Sequence, residues 1–382
     1  MKYLRFSLSL LFLSGAALLS GATAADFYNS GRGFQDRGEW YPAIEAYIEA
    51  VGINPSYGAA WQALGECSYA LGEWQSAVKY FDTASRYLGA SAEIQNMKGF
   101  ALIGQGLLPE ARLLFAAVLT SYPNDAEARF GLAELDIFDG KLSSAEQYYR
   151  DALRRQPQTR KALLSLALLS DEMGKVPESK QYVAQALRFH GESAEVHYFA
   201  GYLLAKEGMW RDAEGRIRSA LQLNSNYDAA YELLALVLYN MQRYSEAVDI
   251  CDYRTIRQRS LPSAWYMKGL ALSKIDRVEE AMIAFRTGLE IAPDDEIMRT
   301  ALESLICDTL EMEDSRRAVW AEWHITRGDE FRTKYFADQA LYEYRRALKI
   351  DPYSVPARTA YAALMLDSGY PQRYLDQLQF IQ

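Results

Sequence analysis

Residues 58–91 read GAAWQALGECSYALGEWQSAVKYFDTASRYLGAS, and the same residue types return 34 positions earlier, from Ala24, and 34 positions later, from Ala92. Laid out in steps of that length, eight units begin at 24, 58, 92, 126, 160, 194, 228 and 262 without a gap. Position eight is small each time: Gly31, Gly65, Gly99, Ala133, Ala167, Gly201, Ala235, Gly269. Position twenty is Ala43, Ala77, Ala111, Ala145, Ser179, Ala213, Ala247, Ala281, and position twenty-four is Tyr47, Phe81, Phe115, Tyr149, Val183, Ile217, Cys251, Phe285. Small residues at eight and twenty let two helix backbones approach closely, and a large side chain from position four or twenty-four fills the space beside them. Pro55, Pro123, Pro157 and Pro293 stop the second helix, and Ser56, Asn124 or Asp294 beside them is placed to cap the next. One pair cannot bury its apolar face alone, so the units need neighbours. A domain count taken from length alone is therefore misleading, and a single cooperative array is expected.

These columns resemble the tetratricopeptide repeat family, whose 34-residue pattern of Trp, Leu, Gly, Tyr, Ala, Phe, Ala and Pro they reproduce. The resemblance covers 24–295 and resumes over 321–354, where Gly328, Ala340, Tyr344, Ala347 and Pro352 fall in their columns. It implies an all-α fold, a right-handed superhelical solenoid of antiparallel helix pairs. The expected organisation is a signal peptide (1–24), eight tandem units (25–295), a truncated or fused helical unit (296–320), a further unit (321–354), and a capping helix with a tail (355–382). Ile297, Ala301, Leu302, Leu305 and Ile306 keep helical spacing across the break, and a second helix begins near Glu313 or Asp314 and runs on through Trp320 and Trp323. Val355 to Asp367 reads as one more helix, which Gly369-Tyr370-Pro371 ends. Departures gather in the fifth and seventh units, at Ser179, Val183, Gly191, Arg254 and Arg259.

Lys2 and Arg5 precede an apolar run from Phe6 to Leu19, and Ala22-Thr23-Ala24 follows, the layout of a cleaved secretory signal. An uncleaved anchor is the alternative reading. The first acid is Asp26. The expected product is periplasmic, in a bacterial envelope, with no stable membrane insertion after cleavage. Lys and Arg number 41 against 50 Asp and Glu, a net charge of −9 that argues against nucleic acid as the main partner. Three His and three Cys leave little for a metal site or a disulfide framework. Cys67, Cys251 and Cys307, far apart and odd in number, read as small buried hydrophobes.

No nucleophile motif, Walker sequence, HExxH or dinucleotide fingerprint is present, and His197 and His324 stand at position four, where the repeat places a large core side chain. No catalytic, cofactor or metal residue is expected. Positions two, five, nine and twelve of each first helix line the inner surface of such an array, and here they are rich in aromatic and aliphatic residues. Tyr69, Phe100, Phe130, Tyr198, Tyr202, Tyr239 and Tyr266 are the expected groove residues, since tyrosine offers a large contact area, little lost rotamer freedom and a hydroxyl. Members of the family that grip a carboxyl-terminal peptide use basic residues in a clamp; Tyr28, Arg32, Glu93 and Met97 stand at those positions here, so that clamp is missing. The run Arg254, Arg257, Arg259 reads as a solvated loop, with a local contact for an acidic partner or lipid headgroups as the alternative. The resemblance implies a non-enzymatic scaffold that binds an envelope protein or an extended hydrophobic or aromatic peptide. The alternative is a periplasmic accessory protein handling a small hydrophobic solute for a transporter. Self-association through the inner face or the Trp320 and Trp323 region is a third reading.

Overall fold

A computed structural model describes residues 22–381 of the chain. The run from Phe6 to Leu19, on which the signal-peptide expectation rests, lies outside them. Among the described residues are 21 helices and no strand, and no helix is long and apolar enough to cross a membrane. Contacts divide them into two compact units, one ending at Phe189 and the other beginning at His190, where the unbroken register predicts a single array. The first unit holds α1 (Ala24–Asp36), α2 (Trp40–Ile53), α3 (Gly58–Ala70), α4 (Trp74–Leu88), α5 (Ala92–Gly104), α6 (Leu108–Ser121), α7 (Ala126–Phe138), α8 (Leu142–Arg155), α9 (Arg160–Glu172) and α10 (Val176–Phe189). The second holds α11 (Ala194–Lys206), α12 (Trp210–Leu223), α13 (Asp228–Asn240), α14 (Tyr244–Arg257), α15 (Pro262–Lys274), α16 (Val278–Ile291), α17 (Glu296–Thr309), α18 (Arg316–Thr333), α19 (Ala337–Ile350), α20 (Val355–Asp367) and α21 (Pro371–Gln379). The odd-numbered helices from α1 to α15 begin on the residues that open the eight sequence units.

Small meets large within each pair as the columns predict. A methyl added at Gly65 would stand 2.6 Å from the Phe81 ring, at Gly269 2.6 Å from Phe285, and at Gly31 2.6 Å from Tyr47. The alanines of position twenty are fully buried in both units. Capping differs from expectation by one residue. Asp125 accepts from the backbone N–H of Ala128 at 2.7 Å and Asp295 from that of Met298 at 2.9 Å, while Tyr57 stands at the start of α3 with no side-chain cap. Pro and its successor are both spent in the turn, so the cap falls on the residue after Asn124 or Asp294.

The link inside each pair needs one residue in the left-handed region. Gly38 shows the reason: its N–H donates to Gln35 O at 2.9 Å and the next N–H, of Glu39, donates to Phe34 O at 3.0 Å, closing the end of α1. Glycine fills that place through Gly208, and then Gln242, Asp276 and Tyr335 occupy it at φ 62°. A bulky residue there is strained by about 1 kcal/mol. Tyr335 is 93% exposed, so its ring gains little from packing. Tyr335→Gly is expected to stabilise the second unit by about 1 kcal/mol in denaturant unfolding; a destabilised variant would show that the ring makes compensating contacts.

Register breaks after α16 as the sequence anticipates. α17 has no second helix of its own, and α18 begins at Arg316 and runs unbroken through Trp320 and Trp323. Arg317 closes the gap. Its Nη2 donates to Leu310 O at 2.6 Å and Cys307 O at 3.1 Å, its Nη1 to Ile350 O at 2.7 Å, and its Nε to Glu311 O at 2.9 Å. The guanidinium is buried and satisfies carbonyls at the carboxyl ends of α17 and α19, where the helix dipoles favour positive charge. His324 is also buried, with Nδ1 2.6 Å from Glu343 Oε2 and Nε2 2.7 Å from Glu303 Oε1. Burial opposes its charge, but the two carboxylates outweigh it and hold the imidazole above the ordinary histidine range. Position four thus carries a structural histidine, as expected. The carboxyl-terminal tail differs from expectation: Pro371–Gln379 is a helix, α21, because Pro371 opens a new first turn.

Candidate functional site

In the second unit, α11, α13 and α15 lie side by side, and their inner faces bound a cavity of about 310 Å³. Tyr198 and Tyr202 come from α11, Glu232 and Leu236 from α13, Tyr266 from α15, and Cys251 and Arg254 from α14 behind them. The helical spacing explains the convergence: residues four apart stand above one another on one face, so Tyr198 and Tyr202, and likewise Glu232 and Leu236, form parallel rows. The rim is open, with Tyr202 and Leu236 each 40% exposed. Burial, with the neighbouring Tyr202 and the charge of Glu232, raises the Tyr198 hydroxyl above the usual phenol range. Burial likewise raises Tyr266 and pushes the Cys251 thiol up to about 12, which favours the protonated, unreactive form of these groups. Cys67 is pushed up to about 12 for the same reason; all three cysteines are free, and Cys307 is only half buried.

Arg254 corrects the loop expectation. It lies within α14, at position 27, where the other units have Ala50, Ala84, Val118, Ala152, Ala186, Ala220 and Gly288. Its side chain is 4% exposed. One Nη bonds Asp228 Oδ1, the other donates to Glu232 Oε1 at 3.1 Å, and the buried Nε has no partner among the described residues. A run of basic residues reads as solvated because its carboxylate partners are a helix away; Asp228 and Glu232 stand 26 and 22 residues earlier in the chain. Comparison of position 27 across the units was the signal that could have found it.

Of the seven expected groove residues, three meet at this cavity: Tyr198, Tyr202 and Tyr266. Tyr239 is half buried and packs edge-on against Tyr244 at 5.2 Å. In the first unit Tyr69 packs edge-on against Trp74 at 5.2 Å, and Phe100 leans on Phe115 at 5.2 Å. Phe130 is 1% exposed and stacks on Tyr149 at 5.6 Å; it belongs to the core and not to a groove wall. The inner face of that unit is filled by its own cation. Lys161 Nζ sits 4.3 Å from the Phe100 ring and 5.1 Å from that of Phe130, with Glu127 at 3.3 Å and Glu134 at 3.5 Å. Burial raises the Glu134 carboxyl above the usual range although Lys161 opposes it.

Family models for the tetratricopeptide repeat match residues 28–90 and 102–158, and a model for anaphase-promoting complex, cyclosome, subunit 3 matches 206–287. The chain is a tetratricopeptide repeat protein. Among curated proteins none matches it. Its fold is shared with the APC/C hetero-tetramer Cut9–Hcn1, at 13% identity, covering 90% of this chain and 76% of that one, with a TM-score of 0.52. A tetratricopeptide repeat protein from Parabacteroides merdae is 15% identical over 75% of this chain and all of its own, with a TM-score of 0.45. The pilF protein of Pseudomonas aeruginosa is 20% identical over 56% of this chain and 96% of its own, with a TM-score of 0.40. Tetratricopeptide architecture gives this chain its class, a protein-interaction scaffold. What distinguishes it is the site itself: three tyrosines and one buried arginine on otherwise regular helices.

Proposed function

We propose that the chain is a non-enzymatic scaffold of the cell envelope whose second unit holds an extended segment of a partner protein against the inner faces of α11, α13 and α15. The observation that carries this reading is the meeting of Tyr198, Tyr202 and Tyr266, from two different helices, at one cavity with an open rim. An open rim suits a peptide whose flanking residues continue past the pocket, whereas a small apolar solute is better held where its surface is almost wholly enclosed. Protein partners are in keeping with the fold, since Cut9 occurs in a hetero-tetramer with Hcn1. The envelope assignment rests on Lys2, Arg5 and the apolar run that follows. Self-association through the tryptophan region is less favoured because Arg299 covers the Trp323 ring at 3.4 Å.

Selection of random twelve-residue peptides on the whole chain tests the site. Binders are expected to lose at least ten-fold in affinity on the variant carrying Tyr198→Ala and Tyr202→Ala, with the helical circular-dichroism signal retained. Binders that hold the variant equally well, or a selection that enriches nothing, would contradict the reading.

A further inference from the structure

We infer that the occupant of this pocket is a basic peptide, one that lays a Lys or Arg side chain beside Glu232 and across the tyrosine rings with an apolar residue next to it. The inference rests on the reading of the cavity as a peptide site and adds the chemistry of the peptide.

One carboxylate, Glu232, and one guanidinium, Arg254, line the cavity, with Asp228 outside the lining as the second partner of Arg254, and they are not equally accessible. Arg254 is 4% exposed, while the Asp228 side chain is 57% and the Glu232 side chain 46% exposed. Of the two charged groups that line the cavity, the Glu232 carboxylate is therefore the one more open to an approaching segment. Glu232 gives one oxygen to Arg254, and its second has no partner among the described residues. The other cations nearby are engaged elsewhere: Lys268 bonds Asp252 at 2.6 Å, and Arg257 donates to Asn226 at 2.9 Å and to the Tyr253 hydroxyl at 2.5 Å. An anionic group entering the cavity would meet the exposed Glu232 carboxylate before the buried guanidinium. A cationic one meets a carboxylate on a wall that also carries the rings of Tyr198, Tyr202 and Tyr266, and aromatic rings attract cations.

The first unit supplies an internal precedent. There Lys161 already sits over two phenylalanine rings between Glu127 and Glu134. On the inner face of the second unit Ala229 and Ser263 stand in the register position that Lys161 fills, Glu232 stands in that of Phe130, and Tyr202 in that of Phe100. The partner supplies the missing cation.

Arg254 is a positioning residue in this arrangement. Its place is alanine, valine or glycine in the other units, and burying a guanidinium with an unpaired Nε costs stability that a small residue would not. Its effect is to hold the Glu232 carboxylate against the cavity wall, and it also neutralises part of the acid so that the pair does not repel itself apart.

Three labelled peptides test the inference by fluorescence anisotropy on the whole chain at about 150 mM salt, where surface attraction is screened beyond about 8 Å. They share a Ser-Gly frame with two Phe-Xaa-Leu triplets in which Xaa is Lys, Gln or Glu. The Lys peptide is expected to bind at least ten-fold tighter than the Gln peptide and the Glu peptide weakest. Glu232→Gln should abolish the preference for Lys, and Glu290→Gln, which removes an equally charged but remote and exposed carboxylate, should leave it intact. Equal binding of all three, preference for Glu, or equal effects of the two substitutions would overturn the inference. If all three bind equally and lose affinity with Tyr198→Ala and Tyr202→Ala together, the peptide site stands and only its basic character falls. If none binds, both fall.

Discussion

Arg317→Ala is expected to lower the stability of the second unit by about 2–5 kcal/mol, the cost of leaving buried backbone acceptors unsatisfied. The size follows from geometry. Four carbonyl oxygens, of Cys307, Leu310, Glu311 and Ile350, accept from this one side chain. Three of them belong to the end of α17 or the turn after it, where a second helix would normally pack, and one to the end of α19. Truncation leaves the buried carbonyls of Leu310 and Ile350 without this donor, at about 1–3 kcal/mol for each that water cannot reach, while Glu311 O keeps the backbone N–H of Asp314. Arg317→Lys is expected to recover only part of the loss, because an ammonium cannot span the same fork. Thermal unfolding of the second unit should fall by about 10 °C in the alanine variant. A fall of only 1 or 2 °C would mean that water replaces the guanidinium and that the break in register is held by packing alone.

Gly131→Ala is expected to destabilise the first unit by about 2–3 kcal/mol, the cost of overpacking a filled core, even though alanine is the better helix former by about 1 kcal/mol. Phe115 is fully buried and pinched between two glycines on successive first helices. A methyl at Gly131 would stand 2.2 Å from its ring and one at Gly99 2.5 Å. No rotation of the ring relieves both sides, so α5 or α7 must move. A smaller side chain at 115 would leave room for the added methyl. Combining Gly131→Ala with Phe115→Leu should therefore recover part of the loss in denaturant unfolding, which additive effects would not do. A double variant less stable than either single one would show that the ring, and not its clash, decides the packing.

Much of the fold could be read from the 34-residue register because the forces that set it are local and repeated. Helix starts at 24, 58, 92 and onward fall where the columns place them, and the fusion through Trp320 and Trp323 is likewise visible in the spacing. What escaped is non-local or one-off. The left-handed turn position was easy to overlook because Gln242, Asp276 and Tyr335 break its glycine pattern. Arg317 bonds backbone, which leaves no mark in side-chain pattern. The site was legible only in part. Tyr198, Tyr202 and Tyr266 follow from inner-face counting, yet the same counting nominated Phe130, which Tyr149 and Lys161 bury, because column position gives direction and not depth. Arg254 was misjudged since a charge is assumed to be wet unless its partners are known.

Site-specific photocrosslinking tests most directly whether the inner face of the second unit is where partners bind. p-Benzoylphenylalanine would replace Tyr202, which opens onto the cavity, or Tyr342 on α19, which is exposed elsewhere on the same unit. With a labelled peptide selected on the whole chain, illumination should crosslink the chain substituted at 202 and not the chain substituted at 342. Crosslinking at 342 alone, or equally at both positions, would contradict the account.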